Sequence, residues 1–254
     1  MKTIIFRTVA LVVMIITISS KPILETDYDT ILKRADQYRG GQVPGISWEV
    51  QVQNIEEGAI RNELNLKVEA STTDTQQFAL ITFLKPKKYG GQKLLLRGNN
   101  MWFIKKGLSR PVPISGRQRL SGSASNADVA SANYYQDYDI SEVKETEIDG
   151  QEYWLYELVA KNNLVSYSKI KYWINKEDYH GVKAEFYGKS KKLIKTAFFK
   201  YQNEMLYENE KDKYISEVKI VDNINTEDST ILNMTSPEFK SFSNSKFQKS
   251  VLMD

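Results

Sequence analysis

Between Ile46 and Met234 the hydrophobic period of this chain is two. Ile46, Trp48, Val50 and Val52 alternate with Ser47, Glu49, Gln51 and Gln53. Successive strand side chains point to opposite faces, so the four apolar groups share one side of a half-buried strand. Leu64, Leu66 and Val68 repeat the pattern after a turn at Glu56-Glu57-Gly58. Residues 78–84 are more continuously apolar, and residues 94–96 and 101–104 flank the hairpin signal Gly98-Asn99-Asn100. Alternation resumes at 137–147, 153–159, 168–174, 182–187, 194–201, 214–221 and 229–234, with turns such as Asp149-Gly150 between them. About eleven strands on short connections predict an antiparallel sheet curved into an open barrel.

Helical spacing is confined to two places. Thr26 or Asp27 can cap a helix in which Ile31, Leu32, Ala35 and Tyr38 recur, and Gly40-Gly41 stop it. In the middle of the chain, Arg110-Pro111-Val112-Pro113-Ile114-Ser115-Gly116 reads as a loop and 118–125 is small and polar. Ser125 or Asn126 can then cap a short helix through Val129 and Ala130, followed by Tyr134 and Tyr135. A structureless insertion of this length is uncommon in a compact β-domain unless it has a function. The pattern leaves both a lid and an inert surface loop open.

One helix and one short flap are too little to cover such a sheet. It must fill itself with side chains or enclose an apolar ligand. Strand parity assigns Trp48, Val50, Val52, Leu64, Leu66, Val68, Phe78, Leu80, Leu94, Leu96 and Trp102 to the inner face, as candidate cavity walls. Val129, Ala130, Tyr134 and Tyr135 are the candidate lid. The 15 Tyr, 10 Phe and 4 Trp suit walls for acyl chains and an ordinary core equally.

Residues 1–20 read as a secretory signal: Lys2 and Arg7, the apolar run 9–16, then Ser19 and Ser20. Removing it takes the formal charge from +3 to +1, leaving no basic excess with which to neutralise a phosphate backbone. The run is short for a bilayer span. Residues 21–254 are expected to form a single domain. There is no Cys, which excludes disulfides, thiolate metal sites and Cys nucleophiles. A triad or His-rich metal site would have to pass through the lone His180, in the turn composition Glu177-Asp178-Tyr179-His180-Gly181, where a solvated side chain is the expectation. No paired carboxylates stand out as a glycosidase pair. The sequence therefore gives catalysis no positive support, and no cofactor is expected.

The segments Trp102-Phe103-Ile104, Arg110-Pro111-Val112-Pro113-Ile114-Ser115, Arg117-Gln118-Arg119-Leu120 and Gly122-Ser123-Ala124-Ser125-Asn126-Ala127-Asp128-Val129 resemble the outer-membrane lipoprotein-sorting (LolA-like) family. The helix Ile31-Leu32-Lys33-Arg34-Ala35-Asp36 and the closing order of strands, Pro237, Phe247 and Leu252 match in kind. Lys105-Lys106-Gly107 and Ala124 depart from the family's pattern. The resemblance implies an α+β, mainly antiparallel, incomplete (open) β-barrel whose concave face is covered by helices over a hydrophobic cavity. It further implies a monomeric periplasmic carrier of lipid or lipoprotein acyl chains, without catalysis or nucleic acid, served by an inner-membrane transporter. Two other readings are an interaction or sensor module of the same fold that partners a membrane exporter, and an envelope hydrolase working through His180.

Overall fold

The computed structural model describes residues 26–130 and 133–252; the expected export signal lies outside the described residues. Helix α1, Tyr28–Tyr38, comes first, with the Asp27 side chain accepting the Thr30 N–H as its N-cap. Six strands follow in a meander: β1 Ile46–Glu56, β2 Ala59–Thr72, β3 Gln77–Lys85, β4 Lys93–Arg97, β5 Asn100–Ile104 and β6 Val112–Ile114. A small hairpin, β7 Arg119–Ser121 and β8 Ala124–Ser125, leads into two short helices, α2 Asn126–Ala130 and α3 Tyr134–Asp137. The second meander is β9 Tyr138–Ile148, β10 Gln151–Ala160, β11 Lys169–Asn175, β12 Gly181–Tyr187, β13 Leu193–Tyr207, β14 Glu210–Asp222 and β15 Ser229–Phe239.

The two meanders join where β15 pairs antiparallel with β1, placing Val50 opposite Met234 and Val52 opposite Leu232. The result is a thirteen-stranded sheet in the order β6-β5-β4-β3-β2-β1-β15-β14-β13-β12-β11-β10-β9. It is not closed, because β6 and β9 each pair on one side only. The count exceeds the expected eleven. Part of the excess lies in the stretch read as loop, where β6, β7 and β8 are two or three residues long, too short for alternation to show. Pro113 fits β6 because an edge strand can spare a backbone donor.

The two faces are covered differently. Val50, Val52, Leu64, Leu66 and Val68 share one buried cluster with Ile31, Leu32, Ala35 and Tyr38 of α1 and Val129 and Ala130 of α2. All three helices contribute to that cluster, and so does the β9–β15 half of the sheet, through Tyr156, Tyr172, Phe199 and Leu232 among others. On the opposite face, Leu80, Leu95 and Ile104 pack against Phe247 from a 3-10 turn at Asn244–Phe247. Strands β3 and β4 are thus apolar on both sides because both sides are covered, which explains their continuous hydrophobic runs.

Candidate functional site

The helical face of the sheet holds the molecule's most unusual chemistry. Helix α1 ends in a Schellman turn: the Gly41 N–H donates to the Asp36 carbonyl and the Gly40 N–H to Gln37, both at 2.9 Å. Gly40 sits at φ +86°, and a Cβ there would lie 2.3 Å from the Trp48 ring, so the indole packs directly on this turn. The turn fixes Arg39 as the C-cap, with its side chain only 8% exposed. Its guanidinium lies 4.1 Å from the ring centre of Tyr134, 5.0 Å from Phe199 and 5.7 Å from Tyr172. Asp36 is the nearest counter-charge, with 3.8 Å between Oδ1 and Nη1.

That pair is poorly compensated. Asp36 is fully buried, and its Oδ2 accepts the Tyr135 N–H at 2.8 Å, which ties α1 to the first turn of α3. Burial raises its carboxyl from 3.8 to about 7. Burial likewise raises the hydroxyls of Tyr134, Tyr172 and Tyr201, so these neighbouring phenols bring no negative charge to Arg39. Asp36 Oδ1, Arg39 Nη1 and Trp48 Nε1 all lack hydrogen-bond partners.

Above the sheet, the β7–β8 hairpin and α2 form a roof held by polar contacts. Asn54 donates to the Ser121 hydroxyl at 2.9 Å, and the Ser123 N–H donates to Thr230 Oγ1 at 2.8 Å. Gly122 lies so close to Asn54 and Thr230 that a Cβ would meet both within 2.4 Å. Asp128 of α2 accepts from Ser125, from the Tyr167 hydroxyl and from Lys195, forming an ion pair whose side chains are 8% and 4% exposed. Arg117 donates to the carbonyls of Asn163, Val165 and Ser166. The small, polar 118–125 segment is therefore pinned at several points, although its composition suggested looseness.

Between roof and sheet lies a cavity of about 90 Å³. One buried water needs about 10–15 Å³ of such space, so the cavity suits several waters or a short stretch of alkyl chain. A longer chain has to displace roof side chains. Its wall includes Trp48, Leu96, Phe186, Val218, Ile220 and Met234, with Val129, Ala130 and Tyr134 from the roof and Arg39 at the end of α1.

The sequence-assigned residues fall into four groups. Trp48, Leu96, Val129, Ala130 and Tyr134 border the cavity. Val50, Val52, Leu64, Leu66, Val68 and Leu94 face the same side but belong to the packed core. Leu80, Trp102 and the ring of Phe78 lie on the far face and correct the parity assignment, the Phe78 ring stacking on Phe247 at 5.5 Å, although Phe78 also borders the cavity. Residues opposite each other in a ladder share a face. Leu80 pairs with Leu95 and Ile81 with Leu94, so Leu80 and Leu94 cannot both point inward. Tyr135 sits outside the wall, half-buried beneath Lys33.

His180 is a second correction. Its ring is buried, stacked 4.2 Å from Tyr201 and edge-on to Tyr38 at 4.5 Å. Nδ1 faces Asp178 at 2.8 Å and Nε2 the Lys213 carbonyl at 2.9 Å, so both nitrogens are engaged in holding the turn. Sequence reasoning missed Arg39 and the β12–β15 wall. A signal for Arg39 was present, because Asp36 and Arg39 stand four and seven positions after Leu32, on the helix's own apolar stripe.

An open antiparallel sheet with a helical roof over an internal cavity is the architecture of LolA-like proteins, and several solved structures share it. A LolA superfamily protein from Nitrosomonas europaea matches with a TM-score of 0.75 at 24% identity, over 87% of this chain and 97% of that one. A putative outer membrane lipoprotein-sorting protein domain from Vibrio parahaemolyticus gives 0.72 at 19%, over 89% and 98%. A DUF1329 family protein from Desulfovibrio piger gives 0.70 at 18%, over 88% and 97%. No curated protein matches the sequence. The model of a family described as "-like: Uncharacterized protein" matches residues 75–254, more than half of the chain, and the chain belongs to that family.

Proposed function

We propose that this protein is a non-catalytic periplasmic carrier that takes lipid or lipoprotein acyl chains into the cavity between sheet and roof. The observation that carries the reading is the cavity itself, walled by apolar side chains from both meanders and roofed by a segment held by polar contacts as well as by Val129 and Ala130. Each methylene leaving water for such a wall gains about 0.8 kcal/mol before ordering costs. When the roof lifts, its hydrogen bonds can be exchanged for water, and of the main cluster Ala124, Val129 and Ala130 move with it while the packing of the sheet on α1 stays. The lipoprotein-sorting description of the Vibrio structure supports this cargo class. In the same reading, residues 1–20 export the chain, an inner-membrane transporter supplies the cargo, and transfer runs toward the outer membrane.

Mass spectrometry of a solvent extract of the purified protein, with uptake of a fluorescent fatty acid by the delipidated form, tests the proposal. Co-purifying lipid and saturable uptake are expected. Absence of both overturns it.

A further inference from the structure

We propose that the Arg39 end of the cavity seats an anionic lipid head group, a carboxylate or phosphate at the end of an acyl chain; this rests on the carrier reading above. Arg39 is more than nine-tenths buried and lines the cavity, and its Nη1 donates to nothing. Its surroundings explain why it stays put without being satisfied. The Schellman turn fixes its backbone, and the rings of Tyr134, Phe199 and Tyr172 flank the guanidinium with π-faces that attract charge but accept no strong hydrogen bond. Asp36 is too distant at 3.8 Å for a hydrogen bond, and its other oxygen is committed to the Tyr135 N–H. Beside Arg39, the benzene end of the Trp48 indole abuts Gly40 on the same wall.

A buried cation with an unused donor is costly, and a buried group left unpaired becomes a source of discrimination when a ligand can pair it. Arg39 borders the cavity and its unpartnered Nη1 is a donor, so it complements an acceptor-only head. A carboxylate or phosphate can engage a guanidinium with two parallel bonds, whereas an esterified chain end cannot. The apolar walls beyond take the chain. Head-group charge, as well as chain length, then selects the cargo.

The experiment titrates oleate, methyl oleate and inorganic phosphate into the delipidated protein, read by displacement of a fluorescent fatty acid and by calorimetry. Oleate is expected to bind about tenfold or more tighter than its methyl ester, the step that one charge-assisted contact supplies. Arg39→Gln is expected to erase that preference, and Arg39→Lys to retain part of it. Should Arg39→Gln fail to fold, the acid-to-ester ratio of the unaltered protein still decides. Equal affinity for acid and ester overturns the proposal, as does a preference that survives Arg39→Gln. Arg39-dependent binding of inorganic phosphate, with oleate and its ester alike, assigns the site to a free anion and also overturns it. If neither lipid binds at all, the carrier reading fails with it.

Discussion

Asp36 and Arg39 occupy the last turn of α1, and the pair makes stability depend on pH in a definite direction. The folded state holds the Asp36 proton up to about 7, against 3.8 ordinarily. Between those values the folded chain binds more protons than the unfolded one. The contribution of Asp36 is therefore complete at low pH and is lost as pH rises from about 4 to about 7. Asp36→Asn keeps an acceptor for the Tyr135 N–H and removes the titration. Urea denaturation across pH 4–8 should show a downward slope in the native protein that flattens in this variant. One residue along, Gly40→Ala should destabilise by about 2–5 kcal/mol, combining about 1–2 for a left-handed residue with a Cβ and about 1–3 for overpacking against Trp48. Thermal melting of the variant measures it. The helix stop at Gly40-Gly41 was legible in the sequence. What the stop does for Arg39 was not, because a C-cap side chain takes its meaning from rings that arrive from α3, β11 and β13.

At the scale of elements, the roof and the strand faces behave differently. Lys195 on β13 and Asp128 on α2 form a buried ion pair, so Lys195→Met should cost about 3–5 kcal/mol by leaving a carboxylate buried beside apolar rings. Adding Asp128→Asn should recover part of that loss, since the neutral amide removes the stranded charge. Denaturation midpoints of the two variants decide this, and hydrogen exchange in α2 should rise in the first. Helix α1 and most strands were readable because their periods are clean. Sides were harder to read. Phe78, Leu80 and Trp102 come from strands that are apolar on both faces, where alternation carries no information about which face is inward. The short strands β6–β8 were invisible for a related reason, since two or three residues hold no period.

Across the whole molecule, two cores lie back to back on one sheet. The smaller, around Phe247, shares only Phe78 with the cavity wall, and Phe247 itself does not border the cavity. Phe247→Ala should therefore lower stability by about 3–5 kcal/mol, the usual cost of emptying a buried aromatic site, while fatty-acid uptake stays unchanged at temperatures where the variant is folded. Parallel melting and uptake assays test that independence; a matching loss of uptake would mean that the two faces are coupled. The seam between meanders adds a constraint in time. Strand β1 is made early and β15 late, and each lies between its partners only when both are present. A growing chain can complete neither half-sheet's inner edge until its last long strand exists. Non-local pairing of this kind places folding in the slow regime of roughly milliseconds to seconds. Chains ending at residue 228 should remain aggregation-prone, with the β1 edge exposed, and should show no cooperative unfolding transition. The sheet is thus joined across its middle only once β15 has been made.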